Sequence, residues 1–358
     1  MKKTRVLVVE DSLTVRKYLV ECLRADPELE VVAEAEDGKQ AIELCERLRP
    51  DVVTLDMMLP VMTGLSATEY IMAYCPTPIL IVSASTNRGE LFRTYDALAA
   101  GALDVIEKPV DGAGDPEWER KLTVTVKLAA RVKVITHVRG RLAGGRAAVV
   151  GQPVVARPTG QRHQYLAIGA STGGPQALST ILRGLPADFP LPILIVLHIS
   201  PTFGGAIAEW LNDQSPIPVT LAADGQPLPP MGSPQVVLAP PDRHLVVRGR
   251  RLVLTRDAEV HSCRPSVDVL FQSMAEEVGE GAAAVLLTGM GRDGARGLLA
   301  VRTAGGWTAA QDEATSVVYG MPREAVRLGA AGAILPLPEI APALVALAGP
   351  GGRRRRTP

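Results

Sequence analysis

The chain has 358 residues, enough for two domains. It is 47% hydrophobic and only 4% aromatic, so its cores are aliphatic, and no apolar run approaches the roughly 20 residues that cross a bilayer. Net charge is zero, but residues 1–119 carry 12 Lys/Arg against 22 Asp/Glu, residues 120–162 carry 10 against none, and residues 163–358 carry 16 of each. An acidic part, a basic connector and a neutral part speak against a basic nucleic-acid-binding output domain. Cys22, Cys45, Cys75 and Cys263 lie far apart without metal-site spacing, which suits free thiols in a reducing compartment. Met1-Lys2-Lys3 is followed by a short apolar run that meets Glu10-Asp11, so it opens a strand rather than a leader. A cytoplasmic protein without membrane insertion is expected.

Val6–Val9 reads as a buried strand and Ser12–Arg24 as a helix. Glu30–Glu34, Val52–Leu55, Ile79–Val82 and Asp104–Glu107 read as further strands, with a helix at Gly38–Leu48 and helical spacing again at Glu117–Lys133. Short Val/Ile/Leu runs alternating with helices predict a parallel sheet covered on both faces. Residues 134–162 are rich in Gly, Arg and Pro and read as a linker. Strands resume at Leu166–Gly169 and Ile193–Leu197, then Val236–Ala239, Leu245–Val247, Leu252–Leu254, Ala283–Leu287 and Thr308–Ala310. The expected division is 1–121, 122–162 (helix end and basic linker), 163–348, and a basic tail at 349–358.

In open α/β sheets ligands bind at the carboxyl ends of the strands. In the first domain those ends carry Glu10 and Asp11, then Asp56, Ser83 and Lys108. Three converging carboxylates repel one another and suit a hard cation such as Mg²⁺. Lys108 and the Ser83 hydroxyl are donors fitted to an acyl-phosphate on Asp56, and Pro109 is compatible with a cis bond that aims the lysine inward.

Val8-Val9-Glu10-Asp11-Ser12, Leu55-Asp56-Met57-Met58-Leu59-Pro60, Val82-Ser83-Ala84 and Glu107-Lys108-Pro109 resemble a response-regulator receiver domain. The resemblance implies a flavodoxin-like fold, Mg²⁺ held by Glu10, Asp11 and Asp56, and phosphoryl transfer from a histidine kinase to Asp56. Thr63 stands where many receivers have Asp, and Val105 where an aromatic often serves as the switch.

The second domain opens with Gly169-Ala-Ser171-Thr-Gly-Gly174 between an apolar run and a helix-like segment. A serine between small residues at a strand-to-helix turn exposes its hydroxyl, and the helix N-terminus offers free N–H groups to a developing oxyanion. Among His137, His163, His198, His244 and His261, His198 stands out because it ends the next buried strand, and adjacent parallel strands bring such ends together. Asp293, just past another buried strand, is the acid best placed to orient the base. Asp213, Asp224, Asp242, Asp257 and Asp268 sit in loops or helical patterns. Gly289-Met-Gly291-Arg-Asp-Gly294, with Asp312 beyond it, also fits a dinucleotide fingerprint, so a nicotinamide-dependent oxidoreductase is the alternative reading.

Ile168–Gly174, Leu197-His198-Ile-Ser-Pro201, Arg264-Pro-Ser-Val-Asp268, Leu287–Gly294 and Ala310–Arg323 resemble the chemotaxis protein-glutamate methylesterase catalytic domain. That resemblance implies a doubly wound, mostly parallel-sheet hydrolase needing no cofactor for ester hydrolysis. It implies Ser171 as nucleophile, His198 as base and Asp293 as orienting acid, with Met290 N–H and the Thr172 region serving the oxyanion. The implied substrates are glutamate γ-methyl esters of methyl-accepting chemotaxis receptors, with glutamine deamidation at the same site and activation by receiver phosphorylation.

Overall fold

The computed structural model describes residues 2–84, 88–109, 114–132, 134 and 163–349. The chain divides into two compact units, Met1–Val149 and Val150–Pro358. The expected linker from residue 135 to 162, with His137, and the arginine tail from residue 350 lie outside the described residues.

In the first unit, strands β1 (Thr4–Val9), β2 (Leu29–Ala35), β3 (Val52–Leu55), β4 (Ile79–Ser83) and β5 (Asp104–Glu107) form one parallel sheet in the order β2-β1-β3-β4-β5. The helices are α1 (Leu13–Ala25), α2 (Gly38–Leu48), α3 (Gly64–Tyr74), α4 (Arg88–Ala100) and α5 (Pro116–Ala129). Every residue of β3 and β4 is buried, as continuous apolar runs between two helix layers require. Asp37 and Thr63 cap α2 and α3 by accepting from the Gln40 and Ser66 N–H groups. Helical spacing extends to Lys133, but α5 ends at Ala129, where the Arg131 and Val132 N–H groups turn back to the Leu128 and Ala129 carbonyls. Strand order reverses between β1 and β3, which opens a crevice at their carboxyl ends.

In the second unit, β6 (Tyr165–Ala170), β7 (Ile193–Leu197), β8 (Val219–Leu221), β9 (Val236–Leu238), β12 (Ala282–Leu286), β13 (Trp307–Gln311) and β14 (Ala333–Leu335) make a seven-stranded parallel sheet. Its order is β14-β13-β12-β6-β7-β9-β8. β10 (His244–Arg248) and β11 (Arg251–Thr255) form a separate antiparallel pair. The helices are α6 (Gly174–Gly184), α7 (Pro201–Gln214), α8 (Val267–Glu277), α9 (Ala295–Thr303), α10 (Met321–Arg327) and α11 (Leu337–Ala348). β6 lies between β12 and β7, so the end of one strand is flanked by the ends of the other two. The core joins apolar residues of this sheet, α8, α9 and the β10–β11 pair. The edge strands β8 and β14 are absent from the sequence reading because each is short and only partly buried, whereas the equally short β9 is an unbroken buried run. Among the described residues, no helix is long and apolar enough to cross a membrane.

Candidate active site and phosphoacceptor pocket

The crevice of the first unit collects the five expected residues. Glu10 follows β1 and Asp56 follows β3, and both are buried, while Asp11 is exposed. The buried Ser83 is the last residue of β4, and Lys108 follows β5. Lys108 Nζ donates to Asp56 Oδ2 at 2.9 Å. It also lies 2.7 Å from Glu10 Oε2, forming an ion pair. Asp56 Oδ1 accepts from the Met57 N–H at 2.7 Å. Burial and the neighbouring Asp56 charge push the Glu10 carboxyl up, despite Lys108. Burial works against the Lys108 charge, but Asp56 and Glu10 outweigh it and hold the ammonium above its ordinary value. One oxygen from each of Glu10, Asp11 and Asp56 falls within a 4.8 Å cluster. This all-oxygen, anion-rich donor set fits a hard divalent cation. The Lys108–Pro109 bond is not cis, contrary to the sequence expectation; the cis bond among the described residues joins Arg264 and Pro265.

In the second unit, Ser171 leaves β6 in a tight turn. Its N–H donates to the Thr288 carbonyl at 3.0 Å, and its carbonyl accepts from the Gly174 N–H at 2.6 Å. Gly173 takes a left-handed φ of 76° and caps α6, whose first turn contains Pro175. His198 follows β7. Its Nε2 meets Asp293 Oδ2 at 2.9 Å, across the end of β6.

Asp293 is buried and fully engaged. Its Oδ1 accepts from Ser266 Oγ (2.8 Å), Asp268 N (3.1 Å) and Gly294 N (3.0 Å), and its Oδ2 also accepts from Val267 N (2.7 Å). The carboxylate thus caps the N-terminus of α8, where the helix dipole favours a negative charge. Burial alone would raise its pKa, but His198 and these donors hold it below the ordinary carboxylate range. The Arg264–Asp268 segment therefore serves as the cradle of Asp293. Asp268 itself turns away to His261 Nε2, at 3.1 Å.

For His198, burial disfavours the charged ring, but Asp293 and then Cys263 outweigh it and lift the pKa to about 9. If His198 is the base, hydrolysis should rise about tenfold per pH unit through neutrality and level off near pH 9. A rate that falls between about pH 7 and 8.5 would contradict that assignment.

The structure does not join Ser171 and His198 by a hydrogen bond. With Nε2 on Asp293, the remaining ring nitrogen, Nδ1, faces Cys263 Sγ at 3.6 Å. Among the described residues the Ser171 hydroxyl makes no hydrogen bond. Resting active sites often hold such pairs apart until substrate arrives. Cys263, His261, Ser266 and Thr288 are site neighbours that the sequence reading missed. Thr288 Oγ1 donates to the Thr172 carbonyl at 2.9 Å and accepts from Val318 N at 2.9 Å, tying the serine turn to the loop before α10. Met290 is half exposed, and among the described residues its N–H makes no hydrogen bond.

Gly289 and Gly294 of the 289–294 loop serve packing, whereas Gly291 faces open space with a left-handed φ of 91°. A Cβ on Gly289 would lie 2.8 Å from Ser171 Cβ and 2.2 Å from Met321 Sδ, and one on Gly294 would lie 2.5 Å from Leu286. Gly289→Ala is therefore expected to displace Ser171, lowering hydrolysis about tenfold or more and costing about 1–3 kcal/mol of stability. Wild-type rates and unfolding midpoint in that variant would refute the contact. Asp312, the acid of the fingerprint reading, is spent on a local turn with Thr315.

The molecule is a two-unit α/β protein. One unit carries an acidic crevice, and the other aligns a serine, a histidine and an aspartate at three neighbouring strand ends. A family model described as CheB methylesterase matches residues 166–344, and one described as response regulator receiver domain matches residues 6–114. Protein-glutamate methylesterase/protein-glutamine glutaminase 4 of Myxococcus xanthus is 45% identical over 97% of this chain and 98% of its own length. The protein of the same activity name from Nitrosospira multiformis is 44% identical over 98% of each. The solved Thermotoga maritima CheB methylesterase catalytic domain is 36% identical, covering 51% of this chain and 98% of its own, with a TM-score of 0.49. The chain belongs to the CheB methylesterase family and carries a receiver domain in its N-terminal part. The oxidoreductase alternative is not supported: Gly289 and Gly294 are packing residues, and the relatives are hydrolases by name.

Proposed function

We propose that the chain is a phosphorylation-activated protein-glutamate methylesterase of chemoreceptors that also deamidates protein glutamine. The observation that carries the reading is the His198–Asp293 pair closed over the strand end that bears Ser171. Its relatives are named for both activities.

Asp293 holds the Nε2–H of His198, which assigns the base to Nδ1. On substrate binding the Ser171 hydroxyl turns to Nδ1, gives up its proton and attacks the γ-ester carbonyl. The Met290 N–H and the Thr172 turn receive the oxyanion. The C–O bond breaks, and methoxide takes the proton from His198 and leaves as methanol. Water, deprotonated at the same nitrogen, then cleaves the glutamyl–Ser171 ester and restores the hydroxyl. With a glutamine amide the C–N bond breaks instead and ammonia leaves.

In the first unit Asp56 takes a phosphoryl group from a histidine kinase, and Lys108 and Ser83 bind its oxygens. A Mg²⁺ ion held by Glu10, Asp11 and Asp56 would offset the charge of the incoming group. Methanol release from methylated receptor, with Mg²⁺ and a small acyl-phosphate donor, tests this control. The donor should stimulate the wild type, and Asp56→Asn should keep the basal rate and lose the stimulation. Equal stimulation in the variant would remove Asp56 from the account.

A further inference from the structure

Cys263 is the soft ligand beside the base. It closes a two-residue turn in which Val260 and Cys263 exchange both backbone hydrogen bonds, at 3.2 and 3.0 Å. The central residues, His261 and Ser262, both take left-handed φ values, 54° and 58°. Neither is a glycine, so the turn holds a conformation that L-residues adopt at a cost. Its effect is to aim Cys263 Sγ at His198 Nδ1, 3.6 Å away.

That separation matches a metal bite. With Zn–S near 2.3 Å and Zn–N near 2.05 Å, a tetrahedral angle sets the two ligand atoms about 3.6 Å apart. The far nitrogen of the same imidazole is held by the Asp293 carboxylate at 2.9 Å. A carboxylate in that position fixes the tautomer and raises the basicity of a zinc-bound histidine. Both Cys263 and His198 are partly exposed, so an ion can enter and keep water in its remaining positions. A thiolate–imidazole pair selects thiophilic cations and rejects Mg²⁺, which needs the all-oxygen crevice of the first unit.

We propose that Cys263 Sγ and His198 Nδ1 form a binding site for Zn²⁺, separate from the Mg²⁺ pocket, whose occupation blocks the esterase. Binding makes the Zn–S and Zn–N bonds, passes the protons on Sγ and Nδ1 to solvent and moves no electrons. It withdraws the one nitrogen available to Ser171. The inhibition rests on the proposed role of His198, whereas the binding does not.

The test uses the full-length, chelator-washed protein in Mg²⁺ buffer. Zn²⁺ should inhibit methanol release, and Co²⁺ should give a thiolate-to-cobalt charge-transfer band at one ion per chain. Cys263→Ser should lose the band and, measured against its own zinc-free rate, need at least tenfold more Zn²⁺ for inhibition. In the wild type, Zn²⁺ but not Mg²⁺ should slow alkylation of Cys263 at least tenfold, measured by mass spectrometry, so the result stands even if the variant folds poorly. An unchanged alkylation rate, or a cobalt band or zinc sensitivity that survives in Cys263→Ser, would overturn the site. A protein that binds the metal but releases no methanol would instead count against the esterase reading.

Discussion

Ser171→Ala should reduce methanol release about 10⁵-fold or more while leaving phosphorylation of Asp56 intact. The size follows from the chemistry: without the hydroxyl there is no covalent intermediate, and the free nitrogen of His198, Nδ1, is left beside the Cys263 thiol. The variant should fold, because the backbone bonds of the turn, Ser171 N to Thr288 and Gly174 N to Ser171, need no side chain. The paired readouts separate the two sites. Loss of both activities would point to misfolding, and a methanol rate near wild type would end the nucleophile assignment.

Asp293→Asn should cost about 10³–10⁴-fold in kcat/KM. Both carboxylate oxygens accept hydrogen bonds, so an amide NH₂ must meet donors wherever it points. Turned toward His198, it forces the proton onto Nδ1 and removes the base. Turned toward Ser266, it opposes the Asp268 and Gly294 N–H groups. In either pose the anion that supports the imidazolium is gone, so the His198 pKa should fall from about 9. The same substitution weakens the cap of α8, and a stability loss of about 2–3 kcal/mol is expected by chemical denaturation. An undiminished rate with an unchanged pH profile would show that Asp293 is only a helix cap.

Much of this was legible in the sequence because strands announce their own ends. The apolar runs before Glu10, Asp56, Ser171 and His198 locate both crevices, and the topology then brings those ends side by side. What stayed hidden depends on returns of the chain that no local pattern encodes. Cys263 reads as a stray thiol until the Val260–Cys263 turn sets it against a histidine 65 positions away. Ser266 stands in the sequence only as part of the Arg264–Asp268 motif, and only the folded loop shows it capping α8 with its hydroxyl on Asp293. Gly289 and Gly294 mimic a cofactor loop because tight packing and close cofactor approach ask the same thing of a backbone: no Cβ.

The central claim is that Ser171, and not the neighbouring thiol, carries the acyl group. Acid-quenched turnover of a methylated receptor peptide, followed by tandem mass spectrometry, measures this directly. A glutamyl adduct should map to Ser171 and vanish in Ser171→Ala. An adduct on Cys263, or methanol released at the wild-type rate by Ser171→Ala, would contradict the account.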